Sequence, residues 1–190
     1  LMPFVRDELA RVTAEGLLTH ELAGAEKLTF VHPYDDAAVM AGQGTLAREM
    51  LTDAPDLDML IIPLGGGGLM AGNAVAAKAI KPGIELIGVE AGLYPSFFNA
   101  VHRQDKPIGG PTLAEGIAVK TVGQLTLPVI SALVGDIVLV GEDLIERAVN
   151  AYASLQHSLA EGAGATGLAA MLKEPERYAG RKVGLVLSGG

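Results

Sequence analysis

Along the 190-residue chain, short continuous apolar runs alternate with stretches whose apolar residues recur every three to four positions. The first pattern predicts strands buried on both faces and the second predicts helices. Residues 58–64 (DMLIIPL) are the plainest strand, and residues 84–89, 136–140 and 182–187 are further strands. A shorter strand is expected over 28–32, ended by Pro33. Helical spacing is expected over 6–23, through Leu9, Val12, Leu17 and Leu22. It returns after Asp35-Asp36, which read as an N-cap for the periodic stretch Ala38, Val39, Met40, Leu46, Met50 and Leu51. Further helices are expected over 69–80, ended by Pro82-Gly83, and over 95–102. Another starts at Glu142-Asp143 and carries Leu144, Ile145, Ala148, Val149, Tyr152 and Leu155. Residues 104–116 read as loop, and a glycine-rich patch at 162–167 leads into an apolar stretch over 168–172. Strand and helix alternate throughout, which predicts an α/β fold: an open parallel sheet with helices on both faces.

Composition narrows the class. Hydrophobic residues make up 49% and charged residues 19%, enough for a core and too apolar for disorder. The length fits one domain, or one large domain with part of a second. The net charge of −8, with no Lys/Arg-rich run, disfavours a nucleic-acid partner. The lack of cysteine rules out disulfides and thiolate metal sites. No apolar stretch approaches the roughly 18–20 residues that span a bilayer, so no membrane partner is expected. The first residues lack the basic flank and long apolar core of a signal peptide, which points to a cytoplasmic protein. The chain opens on Leu-Met-Pro and stops at Ser188-Gly189-Gly190, directly after a strand, so it reads as incomplete at both ends.

The strongest local signal is a strand, then Gly65-Gly66-Gly67-Gly68, then a helix. Four glycines leave backbone N–H groups unshielded, and the helix start adds its partial positive charge, which together suit a phosphate. The plainer alternative is a tight strand-to-helix turn, for which one glycine would suffice. The P-loop pattern is absent, since Leu69-Met70 follow the glycines with no nearby lysine. The GxGxxG spacing is met only loosely around Gly67 and Gly72, with Glu90 the nearest acidic residue for a ribose, so a dinucleotide site is a weak alternative. Ser188 ends a buried strand, where open α/β sheets place ligands, although a serine there is often an ordinary strand-end cap. The stretch Glu161-Gly162-Ala163-Gly164-Ala165 reads as a loop near a ligand or as a helix junction, the junction favoured by composition; Glu115-Gly116 has the same ambiguity. His32, before Pro33, is an acid–base candidate or a structural residue, and His20, His102 and His157 show no metal-ligand spacing.

Taken together, FVHPYDDAAVMAGQGT (30–45), PLGGGGLMAG (63–72), TLAEGIAVKTVGQLTLP (112–128), AEGAGATGLAA (160–170) and VLSGG (186–190) resemble the threonine dehydratase (threonine ammonia-lyase) and serine racemase group. These are pyridoxal-phosphate (PLP) enzymes of fold type II, the tryptophan-synthase-β fold. The likeness covers residues 28–190 in order, which would then be the PLP-binding large domain; residues 1–27 match poorly and would be a remnant of a small domain. The resemblance implies that Gly65, Gly66, Gly67, Gly68 and Leu69 hold the PLP phosphate through backbone N–H groups, and that Ser188 bonds the pyridine nitrogen. Gly116 and Glu161 would line the cofactor pocket. A serine, unlike an aspartate, does not favour a charged pyridinium, which makes the ring a weaker electron sink and suits β-elimination.

Two departures matter. Glu90 matches a divalent-cation ligand of the group, but its acidic companion is missing, with Ser96 nearby instead, so no metal is assigned. The group's Schiff-base lysine has no counterpart: Lys27, Lys78, Lys81, Lys106, Lys120, Lys173 and Lys182 all lie outside the required context, and the catalytic residue is unassigned. The implied activity is β-elimination of L-threonine, or L-serine, to a 2-oxo acid and ammonia. It belongs to amino-acid metabolism, isoleucine biosynthesis included, in a homodimer or homotetramer. The alternatives are serine racemisation and a non-catalytic PLP- or anion-binding fragment. An NAD-binding Rossmann domain rests only on the strand–glycine loop–helix geometry.

Overall fold

The computed structural model describes residues 23–190. The chain divides into two compact units, residues 1–32 and 33–190. The helix expected over 6–23 lies outside the described residues except for its last position. In the described part of the first unit, residues 23–25 form a helical turn, and the Leu28 N–H donates to the Ala23 carbonyl at 2.8 Å. The strand expected over 28–32 does not form: Leu28 and Val31 are 62% and 61% exposed, and the sheet is built from other segments. Strand propensity mostly reflects fit to a half-buried pleated surface, and this short run before Pro33 has no such surface to join.

The second unit is an open α/β fold, as its pattern predicts. In chain order it contains α1 (Ala37–Asp53), β1 (Met59–Pro63), α2 (Gly68–Ile80), β2 (Glu85–Ala91) and α3 (Ser96–His102). A 3-10 turn (Glu115–Ile117), α4 (Thr126–Leu133), β3 (Asp136–Val140) and α5 (Glu142–Ala151) follow. A π-helical turn (Tyr152–Gln156), α6 (Gly162–Lys173), α7 (Pro175–Tyr178) and β4 (Val183–Leu185) complete it. The four-stranded sheet has the order β3-β2-β1-β4, with every pair parallel. In β1, Met59 and Ile61 join one core with Ile87, Val89, Val138 and Val140, covered by α5 and α6. Leu60 and Ile62 join the opposite core with Leu86 and Ile137, covered by α1, α2, Phe97 of α3 and Ile130 of α4. Both faces of β1 are therefore dry, which is why its sequence is unbroken apolar rather than alternating.

Three segments depart from the pattern. The glycine-rich patch at 162–167 is the body of α6 rather than its approach, and it is fully buried. Helix α5 stops at Ala151, and the π-helical turn breaks its register and leaves Leu155 80% exposed. Helix α4 was not expected at all: Thr126-Leu127-Pro128-Val129-Ile130 shows no polar face, and a proline in a first turn costs no hydrogen bond.

Helices α1 and α2 cross at contact distance. A Cβ on Gly72 would strike the Met40 carbonyl oxygen, and one on Gly44 would lie 2.8 Å from the Gly72 carbonyl oxygen. Buried Asn73 ties the crossing: its Oδ1 accepts the Ala47 N–H at 2.7 Å, and its Nδ2 donates to the Leu69 carbonyl at 2.8 Å. A Cβ on Gly83, by contrast, would have nothing within 4 Å. Gly72→Ala is expected to cost about 1–3 kcal/mol, because backbone faces the new methyl and cannot yield. Gly83→Ala is expected to be neutral, or to stabilise by up to about 1 kcal/mol through the unfolded chain. Urea unfolding checks both: the midpoint should fall for the first at unchanged m-value and hold or rise for the second.

Candidate functional site

The strand order creates a crevice. From β1 the chain moves outward to β2 and then β3 on one side, and returns on the other side as β4. The C-terminal ends of β1 and β4 thus flank the point where the winding reverses, the place where open α/β sheets bind ligands. A cavity of about 600 Å³ opens there. Pro63, Gly65, Gly66, Gly67, Gly68, Leu69 and Met70 come to it from the end of β1 and the start of α2; Val186, Leu187 and Ser188 come from the end of β4. Pro33, Tyr34, Gln43, Leu46, Gly116, Ile117, Val119, Glu161 and Ala163 close the remainder. Every cofactor-site candidate named from the sequence borders this one cavity.

The glycine loop is tightly packed on its outer side. A Cβ on Gly66 would run into the Tyr34 ring, and one on Gly65 would lie 2.9 Å from Ile117 Cα. At Gly67, with φ of +96°, it would lie 2.6 Å from Phe97 Cζ and 2.7 Å from Thr126 Oγ1; at Gly68 it would lie 2.7 Å from the Tyr34 carbonyl oxygen. The loop leads straight into α2, which has no side-chain cap. Among the described residues, the N–H groups of residues 65–70 find no acceptor, and the ladder resumes only with Ala71 N–H to the Gly67 carbonyl at 2.8 Å. A run of bare amides at a helix start, in a cavity, has the donors and the partial positive charge that suit an anion.

An outer shell supports it, and sequence reading missed most of that shell. The Thr126 hydroxyl donates to the Gly66 carbonyl at 3.0 Å. The Asp35 carboxylate accepts the N–H groups of Gln124, Leu125 and Thr126 at 2.8, 2.8 and 3.3 Å, so it caps α4. Only Asp36 caps α1, accepting from Ala38 and Val39 at 2.7 and 3.1 Å. The Tyr34 hydroxyl donates to the Thr121 carbonyl at 3.3 Å, and burial, with Asp35 beside it, raises the phenol's pKa. The one available signal was the doubled Asp35-Asp36: a single helix start uses one cap.

On the opposite wall, Ser188 is exposed to the cavity, and its hydroxyl has no hydrogen-bond partner among the described residues. Glu161 is the residue before α6, and its N–H donates to the Gly189 carbonyl at 3.1 Å. A Cβ on Gly116 would lie 3.1 Å from both Glu161 Oε1 and Ala163 Cβ, so the backbone there sits close against the start of α6. Among the described residues no lysine borders the cavity. Neither do His102 and His157; His32 belongs to the first unit, and His20 lies outside the described residues. Among the described residues no group of three or more His, Asp or Glu side chains could hold a metal ion. Glu90 is buried, and its two oxygens accept the N–H groups of Phe97 and Phe98, each at 2.8 Å. It serves as the cap of α3, and so fixes Phe97 against the glycine loop.

A family model described as pyridoxal-phosphate dependent enzyme matches residues 6–189. An L-threonine ammonia-lyase of Thermotoga maritima is 42% identical over 163 residues, covering 85% of this chain and 40% of that protein. The catabolic L-threonine dehydratase TdcB of Escherichia coli (strain K12) is 42% identical over 176 residues, 90% of this chain and 53% of that protein. Among solved structures, a T.th. threonine deaminase superposes with a TM-score of 0.86 at 30% identity, over 92% of this chain and 59% of that one. Maize serine racemase gives the same TM-score and identity, over 92% and 56%. The chain spans about half the length of the curated relatives it matches.

Burial pushes the Glu90 carboxyl up to about 7, against the downward pull of the Phe97, Phe98 and Ser96 N–H groups. Its folded pKa lies above the unfolded value near 4.5, so the fold holds the proton more tightly than the unfolded chain. The contribution to stability is whole below pH 4.5, declines as the pH rises to about 7, and is flat above. Glu90→Gln removes this titration. Relative to wild type, the variant should gain about 3 kcal/mol between pH 4.5 and pH 8, at about 1.4 kcal/mol for each pH unit between the two pKa values. Urea midpoints of both proteins across that range provide the check; a constant difference would contradict it.

Proposed function

The chain belongs to the pyridoxal-phosphate-dependent enzyme family, and on that premise we propose that the full-length protein is a lyase that converts L-threonine, or L-serine, to a 2-oxo acid and ammonia. The observation that carries the cofactor part is the run of acceptorless N–H groups over residues 65–70, facing one cavity together with Ser188. The substrate part is supported by the L-threonine ammonia-lyases and dehydratases among the relatives, at 40–44% identity.

The residues present fit the cofactor. The amides of Gly65, Gly66, Gly67, Gly68 and Leu69 would take the phosphate, with the start of α2 adding its partial positive charge. Gly116 and Glu161 would line the pocket beside the ring. When bound, PLP supplies the electron sink that makes the substrate's Cα–H acidic. The Ser188 hydroxyl would bond the pyridine nitrogen without adding negative charge, leaving that nitrogen neutral and the sink weak. Elimination tolerates a weak sink, because the electrons of the broken Cα–H bond form the Cα–Cβ double bond while the Cβ–O pair departs with the hydroxyl. The proton and hydroxyl depart as water, and the released enamine is hydrolysed by a second water to the 2-oxo acid and ammonia. Among the described residues no lysine borders the cavity, so the amine that removes the α-proton would come from outside them.

On the same family likeness, we propose a cytoplasmic location and a homodimeric or homotetrameric assembly. A place in amino-acid metabolism goes with them, and the names of the Staphylococcus aureus and Escherichia coli relatives favour catabolic use over isoleucine biosynthesis.

Intact mass, visible spectrum and borohydride trapping of the full-length protein with PLP test this reading. The expected result is a reduced lysine–pyridoxyl adduct on a peptide outside residues 1–190, with 2-oxobutanoate formed from L-threonine. D-serine from L-serine as the main product would make the protein a racemase. A full-length protein that traps no adduct would be a non-catalytic anion-binding module.

A further inference from the structure

Glycine gives the loop its close approaches, but it leaves the peptide planes free to turn, since no Cβ restrains φ and ψ. Four such residues in a row need a contact from outside to fix which way their amides face. Thr126 supplies one. It is fully buried at the start of α4, and its hydroxyl donates to the Gly66 carbonyl at 3.0 Å. In a planar trans peptide the carbonyl and the following N–H point in opposite directions. Holding the Gly66 carbonyl toward Thr126 therefore turns the Gly67 N–H away from α4. Gly67 borders the cavity, and that N–H has no acceptor among the described residues.

Thr126 is itself anchored. Asp35 accepts its N–H at 3.3 Å and those of the two preceding residues at 2.8 Å. A Cβ on Gly123 would lie 2.5 Å from Thr126 Oγ1, so only glycine there leaves the hydroxyl its place. Asp35 directly follows Tyr34, whose backbone abuts Gly68. One short segment thus braces the loop on one side and fixes the hydroxyl that orients it on the other.

The geometry points to Thr126 as a positioning residue that turns the Gly66–Gly67 peptide toward the cofactor phosphate, with Asp35 as its anchor. This rests on the phosphate reading of residues 65–70. The test uses the full-length protein stripped of cofactor, as wild type, Thr126→Val and Thr126→Ser. The Kd of each is measured for PLP and for pyridoxal, which lacks the phosphate. Thr126→Val should raise the PLP Kd about tenfold or more, the scale of a hydrogen bond to a charged group. It should leave the pyridoxal Kd unchanged, and Thr126→Ser should restore PLP binding. Equal weakening of both ligands, or an unchanged PLP Kd in the Val variant, would overturn the role. A wild type that binds pyridoxal as tightly as PLP would overturn the phosphate reading, and this role with it. If the Val variant does not fold, Thr126→Ala takes its place in the same comparison.

Discussion

Between β1 and α2 the backbone passes through a space that admits no side chain. Tyr34, Ile117, Phe97 and Thr126 each stand within contact of where a Cβ would be at Gly66, Gly65 or Gly67. The rest of the site depends on this crowding. It holds the loop at the reversal of the sheet winding, and it lets α2 begin with amides that no side chain covers. The close packing continues along α2, where Gly72 and Asn73 lock against α1 and so keep the helix axis, and the partial charge at its start, aimed at the cavity.

Charge placement around the loop follows a consistent division. Three neighbouring helices begin on carboxylates: Asp36 on α1, Glu90 on α3 and Asp35 on α4. Each satisfies amides that would otherwise be orphaned, and the two aspartates put negative charge against a positive helix end. Helix α2 alone among these four receives no such group. At Gly67 no side chain fits, so no carboxylate can cover these amides from that position. With its neighbours capped and this one start bare, the amides of α2 remain open at the edge of the cavity.

The sequence made some of this legible and hid the rest, for physical reasons. Strand β1 could be read because burial on both faces writes an unbroken apolar run into it, and β2 to β4 because each is a short, mostly apolar run. The glycine loop could be read because four glycines in a row have few other uses, and Ser188 because it ends a buried strand. The supporting shell was hidden because its partners are apart in the chain: Asp35 caps a helix that begins at Thr126, and Glu90 reaches forward from its strand to cap α3. Helix α4 was hidden by its own uniformity, since Leu127, Pro128, Val129 and Ile130 show no 3.6-residue alternation. The strand expected over 28–32 shows the reverse error, in which a local run suggested an element that the tertiary structure does not take up.

The lysines explain what kind of grip this site has. Lys78 donates to the Ile84 carbonyl at 2.6 Å, Lys81 to the Leu57 carbonyl at 2.7 Å and Lys173 to the Leu139 carbonyl at 2.9 Å; Lys182 pairs with Asp56. These amines tie helix ends and strand ends together, away from the cavity. On the proposed reading, an anion would therefore be met by oriented peptide dipoles rather than by an ammonium on a flexible stem. An ammonium attracts an anion from many geometries, whereas an amide contributes only when its N–H points at the ligand. In a cradle made of glycine, affinity thus becomes a property of what holds each peptide plane. The buried hydroxyl of Thr126, the ring of Phe97 and the carboxylates behind them support the site as much as the glycines that line the cavity.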